Sequence, residues 1–320
     1  MRPSREGSLT STQMALSFAD PAARRRDPGQ HLEAWMLRED IQTQIMPWRP
    51  EDAGLQVSLR SGNEDRDMDR MVAQAISSNE GAWDLPEALC DFVRDVTADL
   101  VEYGKSVREL VSYLDASGEM VAFELVRVPG SSVVRTPIGW YQVVPAEVSR
   151  LRQQSRVVRL NPKRLFTFVL PAQNPSIGSV LRRLSHVERV GAQIPFGSLD
   201  ETNEFYRFYE FAVQAKTHDE AVARVTRTVG WDGRGSISRS ISEWYTMLRY
   251  VRFHERKLEI RAAILDELDR VLAAASKELG SDVRLKIDLP VNAGVIQSCY
   301  RALEEGTQSF SEVFETLSFI

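Results

Sequence analysis

Between Ser240 and Leu279 apolar residues recur at every seventh position, at Trp244, Val251, Leu258, Leu265 and Leu272, and Met247, Leu248, Ala262 and Leu268 fill parts of the intermediate places. The recurrence predicts one amphipathic helix with a narrow apolar stripe. At about 1.5 Å of rise per residue it spans roughly 55–60 Å, a length suited to a strut, a coiled-coil arm or a limb of an assembly. A second helical pattern covers Asn203–Val225, with Phe205, Phe208, Ala212, Ala215, Val222 and Val225 at helical spacing. Gly230-Trp231-Asp232-Gly233-Arg234-Gly235 breaks the chain between the two.

Upstream, a helix is predicted over Pro86–Tyr103. Asp84 can cap it, Pro86 suits its first turn, Glu87 faces the positive end, and Gly104 ends it. Leu89, Phe92, Val93, Val96 and Leu100 form its apolar face. The period then changes to two. Ser106–Leu114 alternates as a strand, Asp115–Gly118 has hairpin-turn chemistry, and Val121–Val128 returns. Trp140–Val144, Arg156–Leu160 and Leu165–Leu170 add short strands. Helices are expected within Met36–Trp48 and over Asp67–Ile76 and Ser179–Val190, with a connection over Gly191–Asp200. A strand is expected over Val283–Leu289. Two terminal helices, Asn292–Leu303 and Ser309–Leu317, are split by Gly306, with Ser309 as N-cap of the last. The fold class is α+β: mostly helical, with a small antiparallel sheet unit followed by long stem-like helices. The expected domains are a flexible tail over residues 1–30, an α+β unit over 31–200, a helical hairpin over 201–280 with its turn at 224–239, and a terminal strand and helices over 281–320.

Composition narrows the function. The 320 residues are 43% hydrophobic and 27% charged, ordinary for a soluble globular chain. With 40 basic and 45 acidic side chains the net charge is −5, which argues against a dedicated duplex-DNA gripper but not against a surface that DNA slides past. Two cysteines, Cys90 and Cys299, and four scattered histidines, His31, His186, His218 and His254, form no metal-ligand spacing and suit a reducing cytoplasm. No apolar run approaches membrane-spanning length.

No nucleophile elbow, zinc-protease helix, P-loop or dinucleotide fingerprint occurs, so no catalytic residue, cofactor or metal is expected. Gly230–Gly235 lacks a lysine and reads as a tight interhelical loop rather than an anion nest. Asp266, Glu267 and Asp269, with Arg270 and Lys277 at helical spacings, read as an ion-paired solvated face. His254 and Arg261 fall between stripe positions, which suggests solvated or partner-facing side chains. Phe205, Tyr206, Phe208, Tyr209 and Phe211 wrap more than one helix face, as a helix touched by its own domain and by a neighbouring subunit would show; a single deep core fits equally. Arg224, Arg227, Arg234 and Arg239 bracket the glycine-rich turn and form a basic patch, open to a partner or phosphate contact and also to a plain solvated loop.

The order of elements resembles the portal proteins of tailed bacteriophages. Leu100-Val101-Glu102-Tyr103-Gly104-Lys105-Ser106-Val107, leading into a strand, a turn ending at Gly118 and a second strand, is similar to that family's helix, Tyr-Gly, strand, Asp-x-x-Gly, strand segment. Pro175-Ser176-Ile177-Gly178-Ser179-Val180-Leu181 looks like the helix start that follows, and Leu303–Glu312 resembles the helix-turn-helix ending. The resemblance implies a homo-oligomeric ring, usually a dodecamer, at the capsid portal vertex of a virion assembled in the host cytoplasm. It implies a wing from the α+β block, a stem from the long helices and a clip at 224–239. It also implies double-stranded DNA passing through a channel during packaging and ejection, with terminase, capsid and head-tail adaptor proteins as partners and no membrane. Subunit packing is then expected at Trp244, Val251, Leu258, Leu265, Leu272, Phe205 and Tyr209. The chain departs from the family in being short, with a minimal clip and little left for a crown. A non-ring helical adaptor that binds a partner protein through the long helix is the competing expectation.

Overall fold

In the computed structural model of the chain, residues 4–6, 32–48, 50–51, 54–60, 66–77, 84–152, 155–171, 176–192, 211–235, 241–280, 283–288 and 291–317 are described. Strand β1 (Ser4–Glu6) precedes α1 (Leu32–Thr43), β2 (Gln56–Arg60), α2 (Arg66–Ile76) and α3 (Leu85–Tyr103). Then come β3 (Lys105–Leu114), β4 (Met120–Val128), β5 (Val133–Thr136), β6 (Gly139–Val143), α4 (Ala146–Arg152), β7 (Val157–Leu160) and β8 (Leu165–Val169). The remainder is α5 (Ile177–Ala192), α6 (Phe211–Thr226), α7 (Glu243–Glu278), β9 (Arg284–Asp288), α8 (Ala293–Glu305) and α9 (Phe310–Leu317). The class is α+β with small antiparallel sheets, as the periodicities predict.

Strand β3 is the hub of the largest sheet. It pairs antiparallel with β4 over Val107–Leu114, with β8 over Lys105–Glu109, and with β1 over Ser112–Leu114. The hairpin closes on Asp115, whose carboxylate accepts from the Ser117 and Glu119 amides, both at 2.9 Å, while Gly118 takes φ +85. Both faces of β3 are covered, so Ser106 through Ser112 are buried without a break, where an alternating strand would leave one face open. One face carries Leu110 toward α3; the other carries Val107, which joins Val128, Val133 and Leu160 beneath the separate β5–β6–β7 meander. Asp99 of α3 is buried at this junction, accepts from Ser106 Oγ at 2.8 Å and from Arg127 Nε at 3.1 Å, and lies 3.6 Å from the buried Arg108 guanidinium. A buried carboxylate held by two arginines joins helix to sheet.

The main core gathers α1 (Leu37, Ile41), α3 (Leu89, Val93, Val96), α5 (Val180, Leu184) and one face of α7 (Ile260, Ile264, Leu268). Helix α3 stops where Gly104 enters the left-handed region at φ +77 and its amide bonds Leu100 O. At its start Asp84 is at the N-cap but makes no side-chain capping bond.

Three expectations change. Within the segment read as a flexible tail, Ser4–Glu6 forms a strand on β3. Strands β2 and β5 and helix α4 are additional; β2 pairs with β9 across more than two hundred residues of sequence, a contact no local pattern reports. The expected helical hairpin over 201–280 is also not one unit: α6 packs on α5 and meets α7 at its C-terminal end through Arg249. The connection over Gly191–Asp200 lies, beyond Ala192, outside the described residues, as do the first residues of the Asn203–Val225 helix.

Leu89 is wholly buried and Val121 is 42% exposed. Leu89→Ala is expected to lower unfolding free energy by about 2–5 kcal/mol in urea titrations, against under about 0.5 kcal/mol for Val121→Ala.

Candidate functional site: the two-faced helix and its anchored turn

Helix α7 begins at an N-cap serine, Ser242, whose side chain accepts from the Tyr245 amide, with Glu243 in the first turn and Lys277 in the last, each matched to the dipole. Its 36 residues span about 54 Å. Two different neighbours cover it. Phe253, Ile260, Ile264, Leu268, Val271 and Ala275 enter the main core. Met247, Tyr250, Val251 and Leu258 enter a second cluster with Val291, Ile296, Cys299, Leu303, Val313 and Leu317 of the C-terminal segment.

The seven-residue stripe therefore does not form one seam. In a straight helix it drifts by about 20° per heptad. Val251 and Leu258 face the C-terminal helices, whereas Leu265 and Leu272 have rotated into the main core. Val251 is 0% and Leu272 1% exposed, so the subunit packing expected of them is filled by the chain itself. Leu258 and Leu265 are half-buried in the same way, and Trp244 is 44% exposed. Phe205 and Tyr209 lie outside the described residues.

Four basic side chains of the helix are buried as well. Arg249, His254, Lys257 and Arg261 are each under 5% exposed, which corrects the reading of His254 and Arg261 as solvated or partner-facing. Their hydrogen bonds run largely to neutral oxygens. Arg249 donates to Ala223 O at 3.0 Å, to Thr226 Oγ1 at 2.6 Å and to Trp231 O; Lys257 donates to Gln44 Oε1 at 3.1 Å; Arg261 donates to Val291 O at 2.9 Å. Burial, with the Lys257 and Arg261 charges, pushes the His254 imidazole down to about 2 and leaves it neutral; its ring lies 4.4 Å from that of Tyr250. Burial pushes Lys257 down to about 7 and Arg261 down to about 10. The Cys90 thiol, raised to about 12 by burial, is inert.

The glycine-rich turn is anchored on this helix. Gly230 has φ +82, and a Cβ there would overlap the Arg249 carbonyl and come within 2.7 Å of the Phe253 amide, so only glycine lets the turn lie against α7. Trp231 is 1% exposed and donates from Nε1 to Asp40 Oδ2 at 2.7 Å. Arg234, at φ +56, donates to Asp40 Oδ1 at 2.7 Å and pairs with Glu39. The expected clip is thus folded onto α1, and of its arginines Arg234 is engaged there. Arg224 and Arg227 are exposed, the Arg227 carbonyl accepts from Arg252 at 3.1 Å, and Arg239 lies outside the described residues. Of the acidic trio, Glu267 pairs with Arg270 as expected, whereas Asp269 turns to β9, pairing with Arg284 and accepting from the Leu285 amide at 3.0 Å.

Among the described residues no group of three or more His, Cys, Asp or Glu side chains could hold a metal, and no helix is long and apolar enough to cross a membrane. An open depression of about 340 Å³ at the α8–α9 turn is lined by Ser298, Arg301, Glu305, Thr307 and Gln308. No family model and no curated protein matches the chain. A solved structure described as "Neck of native GTA particle computed with C12 symmetry" overlaps 97% of this chain and 99% of its own, at 12% identity and a TM-score of 0.47.

Sequence reasoning missed Asp40, Trp231 and the buried cations. The one legible signal for them was the isolated tryptophan inside a glycine-rich turn, a bulky apolar side chain in a segment that otherwise reads as solvent-exposed.

Two outcomes follow from this geometry. Gly230→Ala is expected to cost about 2–4 kcal/mol, from backbone overlap added to left-handed strain. Gly118→Ala, which meets open space, should cost about 1 kcal/mol in the same melts. The pH dependence has a definite sign. The unfolded chain protonates its His254 near 6.5 whereas the folded chain resists it, so stability falls as pH drops from 6.5. Lys257 acts in the same direction, adding stability as pH rises from about 7 toward 10.5. Between pH 6.5 and 4 the His254 contribution is about 1–3 kcal/mol, and His254→Gln should flatten that limb in urea titrations across pH.

Proposed function

We propose that this chain is the subunit of a structural, ring-forming portal at the head-tail vertex of a tailed phage or phage-derived particle. In this role twelve copies surround double-stranded DNA during packaging and ejection and dock terminase, capsid and head-tail adaptor proteins. The observation that carries the reading is the agreement between quoted motifs and built elements. The Tyr103-Gly104 helix end runs into β3, the Asp115–Gly118 turn closes the β3–β4 hairpin, α5 starts at Ile177, and the long α7 is followed by the capped α8–α9 pair. The ending is doubly capped: Gly306 takes φ +65, and Ser309 and Glu312 bond each other's backbone amides at 3.3 and 2.7 Å. In this reading Arg224 and Arg227, exposed beside the turn, would contact phosphate.

The adaptor reading required the long helix to offer its stripe to a partner, but the C-terminal helices and the main core cover that stripe from Val251 to Leu272, which favours the portal reading. Negative-stain images of the purified chain should show an annulus, and mass photometry should show a species near twelve subunits. Monomers or dimers alone at micromolar concentration would remove the portal assignment.

A further inference from the structure

Helix α6 is held unevenly along its length. From Val222 onward it belongs to the body: Val222 and Thr226 are buried, Val229 and Trp231 follow in the turn, and Arg249 donates to Ala223 O and Thr226 Oγ1. Upstream, Ala215, Lys216 and Thr217 are exposed, and no described side chain of the helix before Val222 is buried. Half a helix without a buried apolar face sits at the low end of local stability. The side chain that ties this half to α1 is His218. Its Nε2 lies 3.2 Å from Glu33 Oε1 in the first turn of α1, and its Nδ1 lies 3.7 Å from Asp219 Oδ1 on its own helix.

The ring therefore faces a carboxylate at each nitrogen. Carboxylates only accept hydrogen bonds, and a neutral imidazole has one N–H to give, so both edges are served only when the ring carries two protons. The other charges around α6 lie elsewhere. On α5, which packs along α6, Arg182, Arg183 and His186 are exposed, and Arg182 donates to Gly178 O. On α7, Arg249 meets only the far end of α6, and further along α1 both Glu39 and Asp40 are taken by Arg234. Lys216 and Glu220 of α6 itself point to solvent.

We infer that the His218–Glu33 contact is a pH-operated latch, which holds the N-terminal half of α6 on α1 and releases it when the imidazole loses its proton, with the segment from Val222 to Thr226 as the fixed end. The released half is too short to stay helical alone, so its backbone bonds open with it. The working range follows from the two partners. The Glu33 hydrogen bond, against the effect of burial, raises the His218 imidazole above its ordinary 6.5; its contribution is complete below 6.5 and is lost as pH rises through the raised value. Burial opposes ionisation of Glu33, but the His218 hydrogen bond outweighs it and holds the carboxyl below its ordinary 4.5, so that contribution is lost only as pH falls through the lowered value. The latch is closed between these limits and opens on the alkaline side. Its sign is opposite to that of the buried His254, so a global melt mixes the two and a local readout is needed. The device does not depend on the ring reading.

Hydrogen–deuterium exchange of the full chain, corrected for the intrinsic pH effect, separates the halves. Between about pH 6 and about pH 9, protection of the amides of residues 215–221 should fall roughly two- to fivefold while that of residues 222–226 holds. His218→Gln and Glu33→Gln should each remove the pH dependence of the first group. The His218 ring protons, assigned by their loss in His218→Gln, should titrate above 6.5 in the wild type and move back toward 6.5 in Glu33→Gln. Level protection of residues 215–221 in the wild type, a joint loss on both sides of Val222, or titration of His218 at or below 6.5 would each overturn the latch.

Discussion

Burying one helix on two sides is the constraint around which the chain is organised. A helix covered on one face can keep every polar side chain in water. Helix α7 cannot, because the main core takes one side and the α8–α9 pair another. Four of its basic side chains, Arg249, His254, Lys257 and Arg261, are buried as a result. A buried cation normally demands a carboxylate, and a wrongly placed one is costly. Here backbone ends supply much of the acceptor set. Arg249 reaches the last turn of α6, where carbonyls lack intrahelical partners, and satisfies Ala223 O together with the Trp231 carbonyl. The guanidinium thus does for α6 what a C-cap would do, and welds two helices that share little side-by-side packing.

The anchored turn completes that weld. Trp231 and Arg234 both bind Asp40, so α1, the turn and α7 are fastened around one carboxylate and one guanidinium. A turn that reads in sequence as a tight interhelical loop is therefore packed against α1 and α7, and Gly230 marks where its backbone touches that of α7.

Much of the architecture was legible where the signals are local. Helix α3 shows its glycine stop, the β3–β4 hairpin its Asp-x-x-Gly turn, and the α8–α9 ending its Gly306 break and Ser309 cap; each lies within a residue or two of its expected place. What stayed hidden depends on distant partners. Strands β1 and β2 are short and gain their pairing from β3 and β9. The stripe of α7 was visible, but apolar recurrence reports burial without saying by what, and a seven-residue repeat looks alike whether one neighbour follows it or two neighbours divide it. His254 and Arg261 read as solvated because a charged or polar side chain between apolar stripe positions resembles a surface residue, and a neutral acceptor such as the Val291 carbonyl leaves no mark on composition. Of the expected site residues, Val251 and Leu272 proved to be core, Arg234 a structural anchor, and Arg224 and Arg227 exposed.

The two-sided burial also bears on how copies could meet. Because α7 is covered inside the chain from Val251 onward, a contact between copies would draw on the periphery, where Trp35, Trp48, Ile138, Trp244 and Phe314 are among the exposed apolar groups. Contacts of that kind are individually modest. A weak head-to-tail contact gives poor dimers. Closure changes this, since the last subunit of a ring makes two contacts while surrendering its freedom once, and the second contact forms at high effective concentration.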